Sequence, residues 1–255
     1  MTGRFVGVIV PVAILLAWEG LWHIPGARME SLSHPVAVFQ ALFHGLLDGT
    51  ILTSTYQTFQ AALLGFAIAA ILGIVVGVFL GLAPSVERIV GPSIDAMRPV
   101  PSVALIPLSL MIFGFGVRME ALVVAFACVW PVLIITVSAV RGIDTELLNV
   151  ARVLQMTMVD RVRKIILPAA LARIAVGLQL ALAISLVVAV TVEIVLNPRG
   201  LGHGMMSAQQ AMRFDQMYAQ LLWIGVVGWG LSYLGQAFLD ACSPVQRVSR
   251  IKGQQ

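Results

Sequence analysis

The sequence predicts an all-α membrane protein of about six transmembrane helices, and three observations carry that expectation. The chain is too apolar to face water. It holds six apolar runs of bilayer length. Its basic residues gather on one side of the threading that those runs impose. Of 255 residues, 59% are hydrophobic and only 11% charged, with a mean hydropathy of +0.96. A soluble domain is roughly half apolar and about a quarter charged, so a water-facing surface cannot be assembled from this composition. The length would accommodate one or two soluble domains, but the charge is too sparse for either.

A helix that crosses the hydrocarbon core needs about 20 mostly apolar residues. Residues 5–22, 58–82, 100–117, 121–140, 169–196 and 217–238 meet that need. The first run follows Arg4 as in a signal peptide, yet Trp18, Glu19 and Trp22 stand where cleavage requires small residues, so a retained helix is expected. The third run holds Pro101 and Pro107 and the fourth Pro131, and kinks are expected in both. No internal repeat and no low-complexity segment is visible.

Basic residues set orientation. With the N-terminus in the cytoplasm and six spans threaded, only Arg28, Arg118, Arg199 and Arg213 of the 16 Lys and Arg face outside. The expectation is therefore both termini inside. Residues 23–56 form an outer loop in which the amphipathic piece 36–47 is expected to lie on the membrane surface. The net charge of +4 and pI near 9.6 belong to this asymmetry rather than to nucleic acid, since no basic run is interleaved with aromatics. Cys128 and Cys242 sit in different runs, and neither a disulfide nor a metal site is expected.

One stretch interrupts the apolar pattern: "LLNVARVLQMTMVDRVRKIILP", residues 147–168, placed in the cytoplasm by the threading. Asn149, Arg152 and Gln155 recur every three residues among Leu148, Val150, Ala151, Val153 and Leu154. At helical period this is a narrow polar stripe on a short, otherwise apolar helix. Asp144 or Thr145 would cap it, with Glu146 favourable in its first turn. Two readings stand side by side: a basic helix that only sets topology, or a docking helix short enough to fit a groove on a cytoplasmic partner.

The stretch resembles the coupling segment of permease subunits in bacterial ATP-binding-cassette importers. Their pattern is Glu-Ala-Ala, a Gly four residues after the second Ala, and later Ile-x-Leu-Pro. Here the first positions read Asn149, Val150 and Ala151, and the Gly position reads Gln155. Ala151, Ile165, Leu167 and Pro168 match. "HPVAVFQAL", "MRPVPSVALIPL", "FGFGVRMEAL", "VRGIDTELLNVARVL", "VVAVTVEIV" and "RGLGHGM" follow in an order similar to the taurine, sulfonate and nitrate branch of these permeases.

The resemblance implies a type I ABC importer permease-like fold with a short cytoplasmic coupling helix. It implies one permease domain over 1–255: an N-terminal helix and outer segment (1–55), a core (56–241) and a cytoplasmic tail (242–255). Asn149, Val150, Ala151, Arg152, Gln155 and Met156 would meet the ATPase. Implied partners are two ATP-binding subunits, a periplasmic or lipid-anchored substrate-binding protein, and a second permease copy. ATP and Mg would sit on the partner, with no cofactor, metal or catalytic residue on this chain. The implied location is the bacterial cytoplasmic (inner) membrane, and the implied solute is a small anion of sulfonate, taurine or nitrate type. The rival reading, a self-sufficient secondary transporter, would show an inverted repeat and midplane ion ligands, and neither is visible.

Three further features carry expectations. Glu193 is the one carboxylate deep in an apolar run and is a substrate-pathway candidate. Lining the pathway, bonding backbone near Asn197 and Pro198, and meeting outside water are all open to it. Gly65, Ala69, Gly73, Gly77 and Gly81 form a stripe that lets helix backbones approach, with packing inside the chain favoured over a subunit contact. "RGLGHG" lacks the Lys-Ser/Thr of a phosphate loop and reads as a flexible turn or a contact for a docking protein. No Gly-x-Ser-x-Gly or His-Glu-x-x-His occurs, and His23, His34, His44 and His203 share no ligand spacing.

Overall fold

The computed structural model describes residues 13, 17–20 and 33–242, with side chains to residue 237. The expected first span therefore lies largely outside the described residues, as does the tail beyond 242. All regular structure among the described residues is helical.

Helix α1 (Pro35–Leu47) opens on Pro35, whose missing N–H costs nothing in a first turn. Val36, Phe39, Phe43 and Leu47 form an exposed apolar stripe along it, as in a helix lying at a headgroup boundary. Gly49 then turns the chain at φ +78°, and Asp48 accepts hydrogen bonds from the Thr50 amide (2.9 Å) and hydroxyl (2.7 Å). Those bonds hold the Asp48 carboxyl below its ordinary value.

Helix α2 (Thr50–Leu82) starts eight residues before the expected span. Thr53, Thr55 and Thr58 end the apolar run, but their hydroxyls bond carbonyls of Gly49, Ile51 and Ser54 and leave the helix intact. Its 33 residues reach about 50 Å at ~1.5 Å each, well beyond a hydrocarbon core about 30 Å thick. The polar first turns consequently extend beyond the hydrocarbon core. The end at which α2 begins is called the upper end below.

The glycine stripe packs inside the chain, as its spacing favoured. Gly65, Gly73, Gly77 and Gly81 meet Val124, Val132, Thr136 and Val140 of α5 (Val117–Arg141) at a constant offset, so the two helices run parallel. Ala69 and Cys128 share the same buried cluster between them. Polar atoms here bond backbone, as a waterless core demands: Thr136 Oγ1 donates to Val132 O at 2.7 Å, and Cys128 Sγ to Ala181 O at 3.2 Å.

Two parallel helices need a return crossing, and here sequence expectation fails. The third run is not one kinked span. Helix α3 (Pro84–Met97), a 3₁₀ turn (Ser102–Leu105) and α4 (Ile106–Phe113) form a path bent by 86°. Pro99 and Pro101 together remove two backbone donors and push the preceding residues out of helical geometry. Gly114 (φ +66°) and Gly116 (φ +132°) end α4. By contrast α5 continues unbroken through Pro131.

After α5 come α6 (Thr145–Val153) and α7 (Met158–Arg161), which passes through a π turn (Val162–Ile166) into α8 (Leu167–Val195). Pro168 deprives Lys164 O of its usual helical donor, and the π turn stands at that gap. Helix α8 runs antiparallel to α5, with Gly177 against Ile135 and Ala181 against Cys128. Helix α9 (Gly200–Gln210) and α10 (Phe214–Cys242) complete the described chain, and Trp223 Nε1 of α10 donates to Thr55 Oγ1 of α2 at 2.9 Å.

Four described helices are long and apolar enough to cross a membrane, five if the bent pair counts as one crossing. The core is the α2–α5–α8 trio, with α10 against its upper half. Arg118, Arg199 and Arg213 fall at the upper end. Arg141, Arg152, Arg161, Arg163, Lys164 and Arg173 fall at the lower end.

Candidate functional site

Each end of the bundle carries a candidate site. At the lower end, Asp144 accepts from the Glu146 amide at 3.0 Å and caps α6, as its sequence suggested. Ala151, 1% exposed, seats the helix together with Leu148, which packs on the cluster of Ile143, Ile166 and Ala170. Everything else on α6 is free. Leu147, Val150 and Val153 (82% exposed) stand open beside Asn149 and Arg152, whose side chains bond each other at 3.3 Å. Leu154, Met158 and Val159 extend this exposed apolar surface past the helix end.

The docking helix expected over Asn149 to Met156 is displaced toward the N-terminus. It stops at Val153, and Gln155 and Met156 form its C-terminal turn. The Met156 amide bonds Ala151 O and the Gln155 amide bonds Arg152 O, both at 3.1 Å, with Gln155 at φ +47°. This is a Schellman ending, in which the left-handed position ordinarily holds glycine. Gln155 occupies the position where the importer pattern has Gly, and the backbone there keeps the glycine geometry.

The upper end holds a polar cleft of about 290 Å³. Helix α2 contributes Thr53, Tyr56, Gln57 and Gln60, α5 contributes Val117 and Glu120, and the link from α8 to α9 contributes Asn197 and Arg199. The link leads into the "RGLGHG" segment, which from Gly200 on is helix rather than a flexible turn. Gly200, Leu201 and Gly202 are buried and begin α9. A helix start leaves amides without partners inside the helix. Here three are met by side chains: Gly200 N by Gln57 Oε1 (3.0 Å), Leu201 N by Thr58 Oγ1 (3.0 Å) and Gly202 N by Glu193 Oε2 (2.8 Å).

Glu193 is thus the carboxylate that caps α9, favourably placed at the positive end of a helix dipole. Of the places open to it, the structure shows the backbone bond, and at 2% exposure it does not meet bulk water. Gly200 makes room: it sits at φ +88°, and a Cβ there would run into the Glu193 carboxylate. Among the described residues, Asn197 Oδ1 is buried without a hydrogen-bond partner.

Glu193 is not alone, which corrects the sequence reading. Glu120 is equally buried at 2% exposure and within electrostatic reach of both Glu193 and Arg199. It stands at the edge of its apolar run, and the sequence reading did not single it out. The available signal was a carboxylate in the first turn of an apolar helix, where the dipole favours it. A second, wider cleft of about 640 Å³ at the same end runs between α1 and α10, with Gln40, His44, Asp48, Arg213 and Asp215 on its walls.

Residues 69–248 match the model of the family described as binding-protein-dependent transport system inner membrane component. The chain belongs to that family. It is an ABC importer permease, a multi-pass transport component rather than an enzyme. A Bacillus subtilis protein named for aliphatic sulfonates transport, SsuC, is 30% identical over 89% of this chain and 82% of its own. The bicarbonate transport system permease protein CmpB of Synechococcus elongatus is 30% identical over 87% and 84%. A chain of the MetNI methionine ABC transporter, in an inward-facing conformation, superposes with a TM-score of 0.62 at 19% identity, covering 82% of this permease and 99% of that chain. The likeness in fold agrees with the type I importer architecture that the motifs implied.

Proposed function

We propose that this permease is the transmembrane half of an ATP-driven importer for a small solute with an anionic group, of sulfonate, taurine or nitrate type. Two copies, two ATP-binding subunits and an outer binding protein make the working assembly in the bacterial inner membrane. The upper end faces outward and both termini lie in the cytoplasm. ATP and Mg act on the partner subunits.

The observation that carries this reading is α6. It stands at the basic end of the bundle, anchored by Leu148 and Ala151 alone, with an open face combining Val150, Val153 and Arg152. An isolated apolar helix face on a water-facing segment is costly unless a partner covers it. Asn149, Val150, Arg152 and Gln155 form the contact in this reading. Ala151 and Met156 set the angle at which α6 is presented. When the ATPase subunits close, a rigidly capped α6 transmits the motion through the π turn to α8. Glu193 serves the pathway by fixing α9 across the upper end.

Arg152→Glu places a like charge against the carboxylates of the partner, a juxtaposition that costs several kcal/mol at close range. The variant is expected to copurify with less ATPase per permease and to uncouple hydrolysis from uptake, while inserting normally. Arg118→Glu, at the upper end, is the control and keeps full ATPase association. Wild-type levels in Arg152→Glu, and also in Asn149→Lys combined with Gln155→Lys, would remove the docking role. A permease that transports with no ATPase bound would instead establish the secondary-transporter reading.

A further inference from the structure

The charges of α3 fall on one side of that helix. Glu87, Arg88, Asp95 and Arg98 share an arc at helical period, while Val86, Ile89, Val90 and Met97 occupy the opposite side. No residue of α3 is buried, and Ile89 is 79% exposed. The bond from Arg141 to Glu87 turns the charged side toward the lower end of α5. Asp95 and Arg98 pair at 3.1 Å, yet their side chains are 70% and 48% exposed.

Their depth follows from the two ends of the path that α3 begins. Glu87 lies level with Arg141, whereas Ser109 Oγ of α4 donates to Met119 O at 2.8 Å and Ile106 packs on Met119 and Val123. Met119 precedes Arg141 by 22 residues, about 33 Å up α5 at ~1.5 Å each. The link after α3 is folded by a bond from the Val100 amide to Met97 O at 3.3 Å. It cannot make that climb, so α3 itself rises. Asp95 and Arg98 then sit about 12 and 16 Å along the helix from Glu87, level with the hydrocarbon core. Charges at that depth are rare, and they face protein or water-filled space rather than lipid. Among the described residues nothing covers this pair.

A second copy, related by a two-fold axis along the membrane normal, would set Arg98 opposite Arg98 and Asp95 opposite Asp95 at one depth. Like charges so placed repel, and the face suits water better than a seam. We propose that the charged side of α3 lines an aqueous path through the membrane domain, where Arg98 receives the anionic group of a passing solute. Asp95 positions it: one Nη1 donor of the guanidinium is engaged by Asp95 Oδ1, and the rest of the fork stays open. An arginine shared in this way holds an anion firmly enough to admit it and weakly enough to release it. The inference rests on the importer reading and extends it, adding a contact in the lower part of the bundle, far from Glu193.

The test uses the permease–ATPase complex in lipid nanodiscs, where reagents reach both faces. Asp95→Cys and Met97→Cys place thiols on opposite sides of α3 at nearly one depth, and the parent protein gives the background. Two water-soluble methanethiosulfonates are the probes, the anionic sulfonatoethyl and the cationic trimethylammonioethyl reagent, each rate being divided by that on free cysteine. Asp95→Cys should react with both, and Met97→Cys with neither above background. The anionic probe should lead at Asp95→Cys by about tenfold, because Arg98 concentrates anions, and adding Arg98→Gln should abolish that lead. Methanesulfonate should slow the anionic probe only where Arg98 is present. Equal copurified ATPase shows that the variants assemble. Should Asp95→Cys fail to do so, Gly91→Cys takes its place, since a Cβ there meets only the Glu87 carboxyl within 4 Å. An unreactive thiol on the charged side, a disulfide joining two copies through it, equal rates for the two probes, or a lead that survives Arg98→Gln would each overturn the proposal. Loss of the ATPase from wild type would instead strike the importer reading.

Discussion

A Cβ built on Gly73 would lie 2.8 Å from the Cβ of Val132, closer than side chains tolerate. The same relation recurs at Gly65, Gly77 and Gly81, so α2 and α5 touch backbone to side chain along most of their length. In a bilayer, where lipid is as apolar as any side chain, such close approach is what holds two helices together.

Gly73→Ala should therefore force α2 from α5 and cost about 1–3 kcal/mol, the usual price of overpacking. Gly225→Ala is the matched control, because nothing lies within 4 Å of its Cβ position. Helix propensity alone favours alanine there by about 1 kcal/mol. Melting of the two variants in nanodiscs checks the contrast, and equal melting temperatures would refute the seam.

Gln155 holds a left-handed conformation that costs an ordinary residue about 1–2 kcal/mol. Gln155→Gly should relieve most of this and slow hydrogen exchange at the amides of residues 152–156. Met212, at φ +57° in the same kind of ending after α9, should respond alike to Met212→Gly. Faster exchange in Gln155→Gly would mean that the side chain, rather than the Schellman bonds, maintains the turn.

Gly200 and Glu193 should behave as one unit. Gly200→Ala suffers both the positive φ and the collision with the carboxylate, whereas Gly200→Ala with Glu193→Ala keeps only the first. The double variant should be less destabilised than the two single effects added, a coupling on the order of 1–2 kcal/mol for groups in contact. Additive melting shifts would place Glu193 elsewhere. Glu193→Gln, which keeps an oxygen for Gly202 N, should assemble normally, with reduced uptake if α9 must stay fixed for passage.

Glu87 Oε2 of α3 meets Arg141 Nη2 at the end of α5, 2.9 Å apart and partly open to water. A pair of this kind is worth about 0.2–1 kcal/mol and weakens with salt. A double-mutant cycle with Glu87→Gln and Arg141→Gln should return a coupling in that range at low salt and a smaller one at high salt. A salt-independent coupling would indicate a pair shielded from solvent in the assembled complex.

The sequence by itself determined what local chemistry dictates. Apolar composition fixed the membrane setting, four-residue glycine spacing fixed a close helix seam, and Asp144 with Thr145 narrowed the start of α6 to two adjacent positions. These depend on neighbours along the chain, and period and capping rules read them directly. The overshoot of α2 into its threonine-rich first turns was hidden, because hydropathy measures burial in lipid and says nothing about whether a helix continues. The break of the third run needed the parallel pairing of α2 with α5, which obliges the chain to return between them. Tertiary structure alone decided the cleft. Gln57 of α2, Glu120 of α5 and Asn197 of the α8–α9 link are far apart in sequence, and their meeting depends on α8 running antiparallel to α5 and on α9 starting with its amides toward α2. Glu120 was not singled out because burial is a property of the assembled bundle, and no spacing in the sequence records which helix ends share a depth.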